Sequence, residues 1–300
     1  MWILVALVSA ATLALVHLTD KRLLDHHLPS IDTLYAWVAI GLAVYIAGAL
    51  AIFGVPDDTS LSFILVALAS GLALGIGYAL LFVALKVDEA SRAVAISQIY
   101  PIFVALLAVP FLGERLSPFQ WASIILVVMG TMMISLPAIP RSRDAFKPTR
   151  GVPASVASGL FLAVGFFLAK LALSESSLTT VFIYQQAGTL LAFLPFCRPR
   201  VCVQLFRAMR QPSTVGLLLV GEGMLPLVVV VGALLATSLG PVSLVTAFLA
   251  TTPLFVFMLA TLLSQARWHL MEEALSPRAL AMKFAAIAMI VAGVSSLGLF

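Results

Sequence analysis

The feature that most restricts this chain is a succession of apolar runs, each about 20 residues long, broken by short turn or charge signals. They lie near 1–18, 31–54, 61–85, 91–112, 117–136, 151–174, 178–196, 213–237, 241–263 and 279–299. A helix of about 20 apolar residues crosses the hydrocarbon core of a bilayer. In lipid only helices and closed barrels satisfy every backbone N–H and C=O. The reading is an all-α integral membrane protein with ten transmembrane helices, multi-pass in the cell membrane. Composition agrees, with 62% hydrophobic and 10% charged residues, against about 45–50% and about 25% in soluble domains.

Several connections, "GVPDDTS", "SESS" and "TSLGP", leave room only for tight antiparallel hairpins. The longer ones, 137–150, 197–212 and 265–278, are too short for a second domain. The first run lacks the basic leader of a signal peptide, since Lys21 and Arg22 follow it instead, and it reads as a retained helix. Cys197 and Cys202 in "CRPRVC" match no usual zinc or redox spacing and read as free thiols. The net charge of +4 sits in short loops, as membrane orientation produces, so no nucleic-acid partner is expected. "DHH" at 25–27 falls in a solvated loop without a spaced third ligand, so no metal is expected. No phosphate loop, nucleophile–base pair or ATPase motif calls for a cofactor. The partners expected are the lipid bilayer and a small-molecule substrate; nothing in the sequence sets an oligomeric state.

Ten is five plus five, and an internal repeat follows. "ASRAVAISQIYPIFVAL" lies on "GPVSLVTAFLATTPLFVFM" when Pro101 is placed on Pro253, an offset of 152. "LALVHL" falls on "FFLAKL" at 153, which sets His17 against Lys170. An odd number of helices per copy makes the second copy enter from the opposite side, so the two repeats are inverted. Inverted repeats are a common construction of secondary transporters, with the substrate site between the halves.

Charge orients the chain: one alternate set of loops holds fourteen Lys and Arg, the other only Arg115. That count puts both termini outside.

The segment "PIFVALLAVPFLGERLSPFQWASIILVVMGTMMI" (101–134) resembles the EamA family of the drug/metabolite transporter superfamily. Its repeat is marked by a proline-bearing helix ending in Gly-Glu-Arg/Pro-Leu. The next helix begins at a polar-aromatic stretch and carries a small glycine, here Gly130. The resemblance implies a first five-helix repeat over 1–136, a connecting loop at 137–150 and a second repeat over 151–300. It also implies both termini in the cytoplasm, against the charge count. Gln265-Ala266-Arg267 stands where the family repeats Gly-Glu.

Ionisable residues within membrane helices are expensive and mark cavities or pathways. Glu222, between Gly221 and Gly223 with Pro226 one turn on, is the foremost candidate, able to bind a cationic group or carry a proton. Lys170 and His17 either flank the cavity or, in the plainer reading, snorkel and cap. Ser97, Gln98 and Tyr100 beside Pro101, and Thr251 and Thr252 beside Pro253, are candidate cavity lining at two helix kinks. Helix–helix hydrogen bonding is the alternative for them. Tyr184, Gln185 and Gln186 form a similar patch, Pro226 is a third kink, and Tyr35 and Trp37 read as interface anchors. "SGLALGIGYA" (70–79) reads as a packing face. Glu114 and Arg115 read as fixing the hairpin between the fourth and fifth helices.

The function expected is secondary active transport by alternating access of a small metabolite, amino acid or drug-like compound. Export follows from the resemblance, and proton coupling would run through Glu222. The alternative is a membrane-embedded enzyme acting on lipid, which would need acidic or histidine clusters at one interface.

Overall fold

The computed structural model describes residues 1–56, 60–87, 90–134, 151–263 and 277–298. The expected connecting loop 137–150 and Gln265-Ala266-Arg267 lie outside the described residues. The helices in chain order are α1 (Trp2–Arg22), α2 (Ile31–Phe53), α3 (Leu61–Val87), α4 (Ala90–Ser97), α5 (Tyr100–Phe111), α6 (Pro118–Ile134) and α7 (Gly151–Leu173). They continue with α8 (Leu178–Phe193), α9 (Pro199–Ala208), α10 (Pro212–Leu219), α11 (Leu225–Leu239), α12 (Val242–Leu249), α13 (Thr252–Leu263) and α14 (Pro277–Gly298). Two π-helical turns, Leu23–His27 and Val220–Met224, extend α1 and join α10 to α11.

Helix occupies every apolar run expected from the sequence. By length and apolarity, eight helical stretches among the described residues can cross a membrane, nine if α8 and α9 count as one bent span, while Pro118–Met133 is shorter. The chain is a multi-pass helical membrane protein, with eight or nine of the ten expected spans meeting this measure among the described residues. The outer surface is apolar, with Val44, Ile52, Phe53, Leu61 and Phe111 all exposed, as lipid contact requires.

The expected connection at 197–212 is largely helical. It contains α9, set at 97° to α8. Val201 and Leu205, one turn apart, are buried, while Arg207 on the other side is exposed. A short amphipathic helix of this kind lies along a surface rather than across a membrane.

The most extensive packing sets α3 against α7 and α8, and it is made by glycine. A Cβ on Gly71 would stand 1.8 Å from the carbonyl oxygen of Gln185, and one on Gly188 would stand 2.0 Å from that of Leu68. The α3 and α8 backbones therefore touch, which only glycine permits, and "SGLALGIGYA" is the packing face it was read to be. Polar side chains tie the same three helices. Gln185 Nε2 donates to Ser70 Oγ at 2.9 Å, and Ser70 Oγ donates to the Gly165 carbonyl at 2.8 Å. Thr189 Oγ1 donates to the Gly71 carbonyl at 3.0 Å.

A second reciprocal contact joins α6 and α14. Gly130 lies against Ala286 and Ile290, Gly293 against Ser123 and Val127, and the Ser123 and Ser296 hydroxyls are 2.6 Å apart. Along a third seam α1 runs antiparallel to α10 and α11 in steady register. Gly240 packs on Trp2, Gly232 on Ser9 and Gly221 on Thr19, and Thr214 bonds His27 Nδ1 at 3.0 Å. His27 thus belongs to this seam, not to a solvated loop.

Candidate functional site

The site begins with a missing donor. Pro226 has no N–H to give the carbonyl four residues back, which is that of Glu222. The ladder opens at this point into the π turn Val220–Met224, where Leu225 N–H reaches back to the Val220 carbonyl. Such turns recur at functional sites. Two α2 side chains satisfy carbonyls that flank the break: Trp37 Nε1 donates to Leu218 O at 3.1 Å, and the Tyr45 hydroxyl donates to Gly223 O. Trp37 and Tyr35 are buried, Tyr35 donating to Ala79 O at 2.8 Å. The interface-anchor reading of this pair is therefore corrected, because both rings pack inside the bundle and spend their polar atoms on backbone.

Gly221 lets α1 come close, since a Cβ there would meet Thr19 Oγ1 at 2.6 Å. The next residue on each side is a carboxylate. The Glu222 and Asp20 side chains line one and the same cavity. Asp20 is 1% exposed and Glu222 6%. Both Asp20 oxygens and Glu222 Oε1 have no hydrogen-bond donor. His17, one turn back on α1, places Nδ1 3.5 Å from Asp20 Oδ2.

These three groups open onto a cavity of about 140 Å³ walled by α1, α2, α3, α7, α8, the π turn, α11, α12 and the break between α4 and α5. Of the candidates named from sequence, His17, Ser97, Gln98, Tyr100, Gln185, Glu222 and Pro226 line it together. Gln98 Oε1 is buried without a partner. Tyr100 stacks on Phe166 with ring centroids 5.4 Å apart. Ser97 Oγ donates to the Val94 carbonyl at 2.7 Å, so its hydroxyl serves the helix end more than the cavity. Pro101 and Pro253 occupy the first turns of α5 and α13, where the expected kinks are full breaks in the helix.

Other candidates lie elsewhere. Thr251 and Thr252 donate to Phe248 O and Leu249 O, each at 2.7 Å, and stand outside the cavity wall, to which α12 gives Leu249 instead. Lys170 also stands outside it. Its ammonium donates to the carbonyls of Thr237 at 2.8 Å and Gly240 at 2.9 Å, where a cation meets the negative end of α11.

Glu114 does not pair with Arg115, which is exposed. Gly113, at φ +67°, turns the chain off α5. The Glu114 carboxylate then accepts from Val242 N–H at 2.6 Å and from Ser243 Oγ at 2.5 Å. It caps the positive end of α12. The structural reading of Glu114 stands, but the hairpin it was assigned is corrected to a tie across the molecule. Glu114 and Lys170 thus hold the two sides of the α11–α12 turn.

Asp20 is the residue that sequence reading missed. Placing the end of the first helix at residue 18 put it in a loop with Lys21 and Arg22. The signal was there: Asp20 is three residues from His17, on the same helical face.

Three comparisons place the chain among known proteins. Residues 1–136 match the model of the EamA-like transporter family. An uncharacterized transporter in the cobO 3' region of Sinorhizobium sp is 31% identical over 67 residues, which are 22% of this chain and 48% of that protein. The chain thus spans about half the length of the curated relative it matches. A solved crystal structure of a protein aligns over 99% of this chain and 95% of its own, with TM-score 0.64 and 20% identity, and shows the same fold.

Proposed function

Taking as premise that residues 1–136 belong to the EamA-like transporter family, we propose that the whole chain is a secondary active transporter of the cell membrane. It carries a small metabolite, amino acid or drug-like compound by alternating access, in the direction of export, with protons as the coupling ion. In this reading ten helical spans form two inverted five-helix repeats, 1–136 and 151–300, joined by 137–150.

The observation that carries the proposal is the cavity. Its walls come from both segments, it buries Glu222 and Asp20 without hydrogen-bond donors, and no Lys or Arg among the described residues lines it. A buried carboxyl without a protein partner is stable only when it holds a proton or meets a ligand. Such a group in a cavity among membrane helices is what proton coupling needs.

The test is solute flux across sealed vesicles bearing the purified chain, with and without a pH gradient, using a mixed panel of amino acids, sugars and drug-like amines. We expect protein-dependent flux that an imposed gradient accelerates, and a Glu222→Gln variant that no longer responds to the gradient. Flux indifferent to both the gradient and Glu222 would remove proton coupling; no flux of any panel member would remove the transporter reading.

A further inference from the structure

We infer that Asp20, Glu222 and His17 form a cation site that takes either a proton or the ammonium group of an amphipathic organic amine, one in exchange for the other. This rests on the transporter reading above and names its substrate class.

The first argument is the polarity of the open atoms. The buried atoms on the cavity wall without a hydrogen bond are Asp20 Oδ1 and Oδ2, Glu222 Oε1, Gln98 Oε1 and His17 Nδ1, the last 3.5 Å from Asp20 Oδ2. Four of the five are oxygens that only accept. A ligand that completes them brings donors, and an ammonium brings up to three N–H on one centre. A carboxylate or phosphate would bring further acceptors to atoms that call for donors.

The second is charge. No Lys or Arg lines the cavity among the described residues, and Lys170 is bound to carbonyls at the end of α11. One proton resident among His17, Asp20 and Glu222 leaves the cluster at net −1, whichever group holds it. A second proton, or one monovalent ammonium, brings it to zero. Both together would leave a buried positive charge, which burial opposes. Proton and amine are therefore alternatives at one place. The other titratable side chains facing the cluster are phenols: Tyr45 from α2, whose hydroxyl is held by Gly223 O, Tyr78 from α3 and Tyr100 from α5. No second acid or base from these helices duplicates the exchange. Asp25 and Lys21 pair with each other outside the cavity at 3.1 Å.

The third is the rest of the wall. Phe82, Phe166 and Phe193 with Tyr78 and Tyr100 give an aromatic lining, suited to an apolar body and to a cation over ring faces. Among the described residues, no three His, Cys, Asp or Glu side chains are placed to hold one metal ion. An organic cation fits this wall.

The experiment uses the full-length chain in detergent micelles, with 2-phenylethylamine as the probe and phenylacetate as its anionic counterpart. Binding is read by calorimetry, and proton release by an indicator dye in weak buffer. We expect the amine to bind and to release about one proton per molecule. Its apparent affinity should rise up to tenfold per pH unit while the site is protonated, and phenylacetate should neither bind nor compete. Asp20→Asn and Glu222→Gln should each weaken the amine at least tenfold and abolish proton release, while Glu222→Asp retains both. Phenylacetate binding as well as the amine, or amine binding without proton release, overturns the inference on the wild-type chain alone, even if a variant fails to fold. The two readings also fail separately. Vesicle flux of neutral or anionic solutes with no amine binding keeps the transporter and removes the cation site. Proton-linked amine binding without flux of any solute does the reverse.

Discussion

Two regions of this molecule bury polar side chains and treat them in opposite ways. Where α3 meets α7 and α8, the backbones touch at Gly71 and Gly188, and Ser70, Gln185 and Thr189 each donate to a neighbour across the seam. Where α1 meets the π turn before α11, the backbones also approach closely, at Gly221. There Asp20, Glu222 and His17 are left with open atoms. The first arrangement uses these three side chains as fastenings between helices. The second holds its geometry through other contacts, Trp37 and Tyr45 on the flanking carbonyls, and keeps its carboxyls unspent. Burial alone does not separate structural from functional polar residues; the state of their partners does.

The largest effect expected from this contrast lies in the fastened region. Gly71→Val puts a branched side chain where even a Cβ would stand 1.8 Å from a backbone oxygen. No rotamer relieves that, so α3 and α8 must separate. We expect a loss of about 3 kcal/mol or more, at the upper end of overpacking costs, seen as collapse of folded yield by gel filtration in detergent. Gly48→Ala in α2 is the control. Nothing lies within 4 Å of that Cβ, and the change should stabilise by about 0.5–1 kcal/mol through helix propensity. Equal effects at the two positions would mean that the α3–α8 contact is not what holds the bundle.

The tie made by Glu114 tests the same contrast from the other side. Its carboxylate, unlike that of Glu222, has its acceptors filled by Val242 N–H and the Ser243 hydroxyl. Glu114→Ala should therefore lower stability by about 1–2 kcal/mol, the range of a lost helix cap. Ligand binding at Asp20 and Glu222 should be unaffected in the variant that remains folded. A melting temperature unchanged from wild type would mean that the α11–α12 turn is held by Lys170 and packing alone.

How much of this was legible beforehand follows from what each feature depends on. The helices were, because apolar runs of spanning length are a local property and their positions agree with the structure to within a few residues. Glu222 was singled out because a charge amid apolar residues stands out in one dimension. The glycine face of α3 was legible for the same reason. Asp20 was not, since it precedes Lys21 and Arg22 and becomes a cavity residue only when α1 continues to Arg22 and meets Glu222, about 200 residues away. The partner of Glu114 was likewise hidden, as Val242 lies on a distant helix. Lys170 and His17 fell at matched places in sequence, yet one caps a helix and the other joins the carboxyls. Matched places in the sequence said nothing about where the side-chain atoms are used.

The smallest expected effect is the most discriminating one. Replacing a buried side chain by its neutral isostere destabilises when that side chain is a fastening and does not when it is held open. Glu222→Gln supplies an amide N–H that can donate to the neighbouring Asp20 carboxylate, and it removes one of two buried carboxyls that line the same cavity. Both changes relieve an unsatisfied arrangement, whose burden is about 1–3 kcal/mol for an unpartnered buried polar group. We expect the variant to melt at neutral pH at or slightly above the wild-type temperature, by roughly 1 kcal/mol, while losing proton release on amine binding. That pairing of gained stability with lost function is the mark of a site kept unsatisfied for a ligand. A drop of 2 kcal/mol or more in thermal or denaturant unfolding would instead class Glu222 with Ser70 and Gln185 as a structural tie, and the contrast between the two regions would be gone.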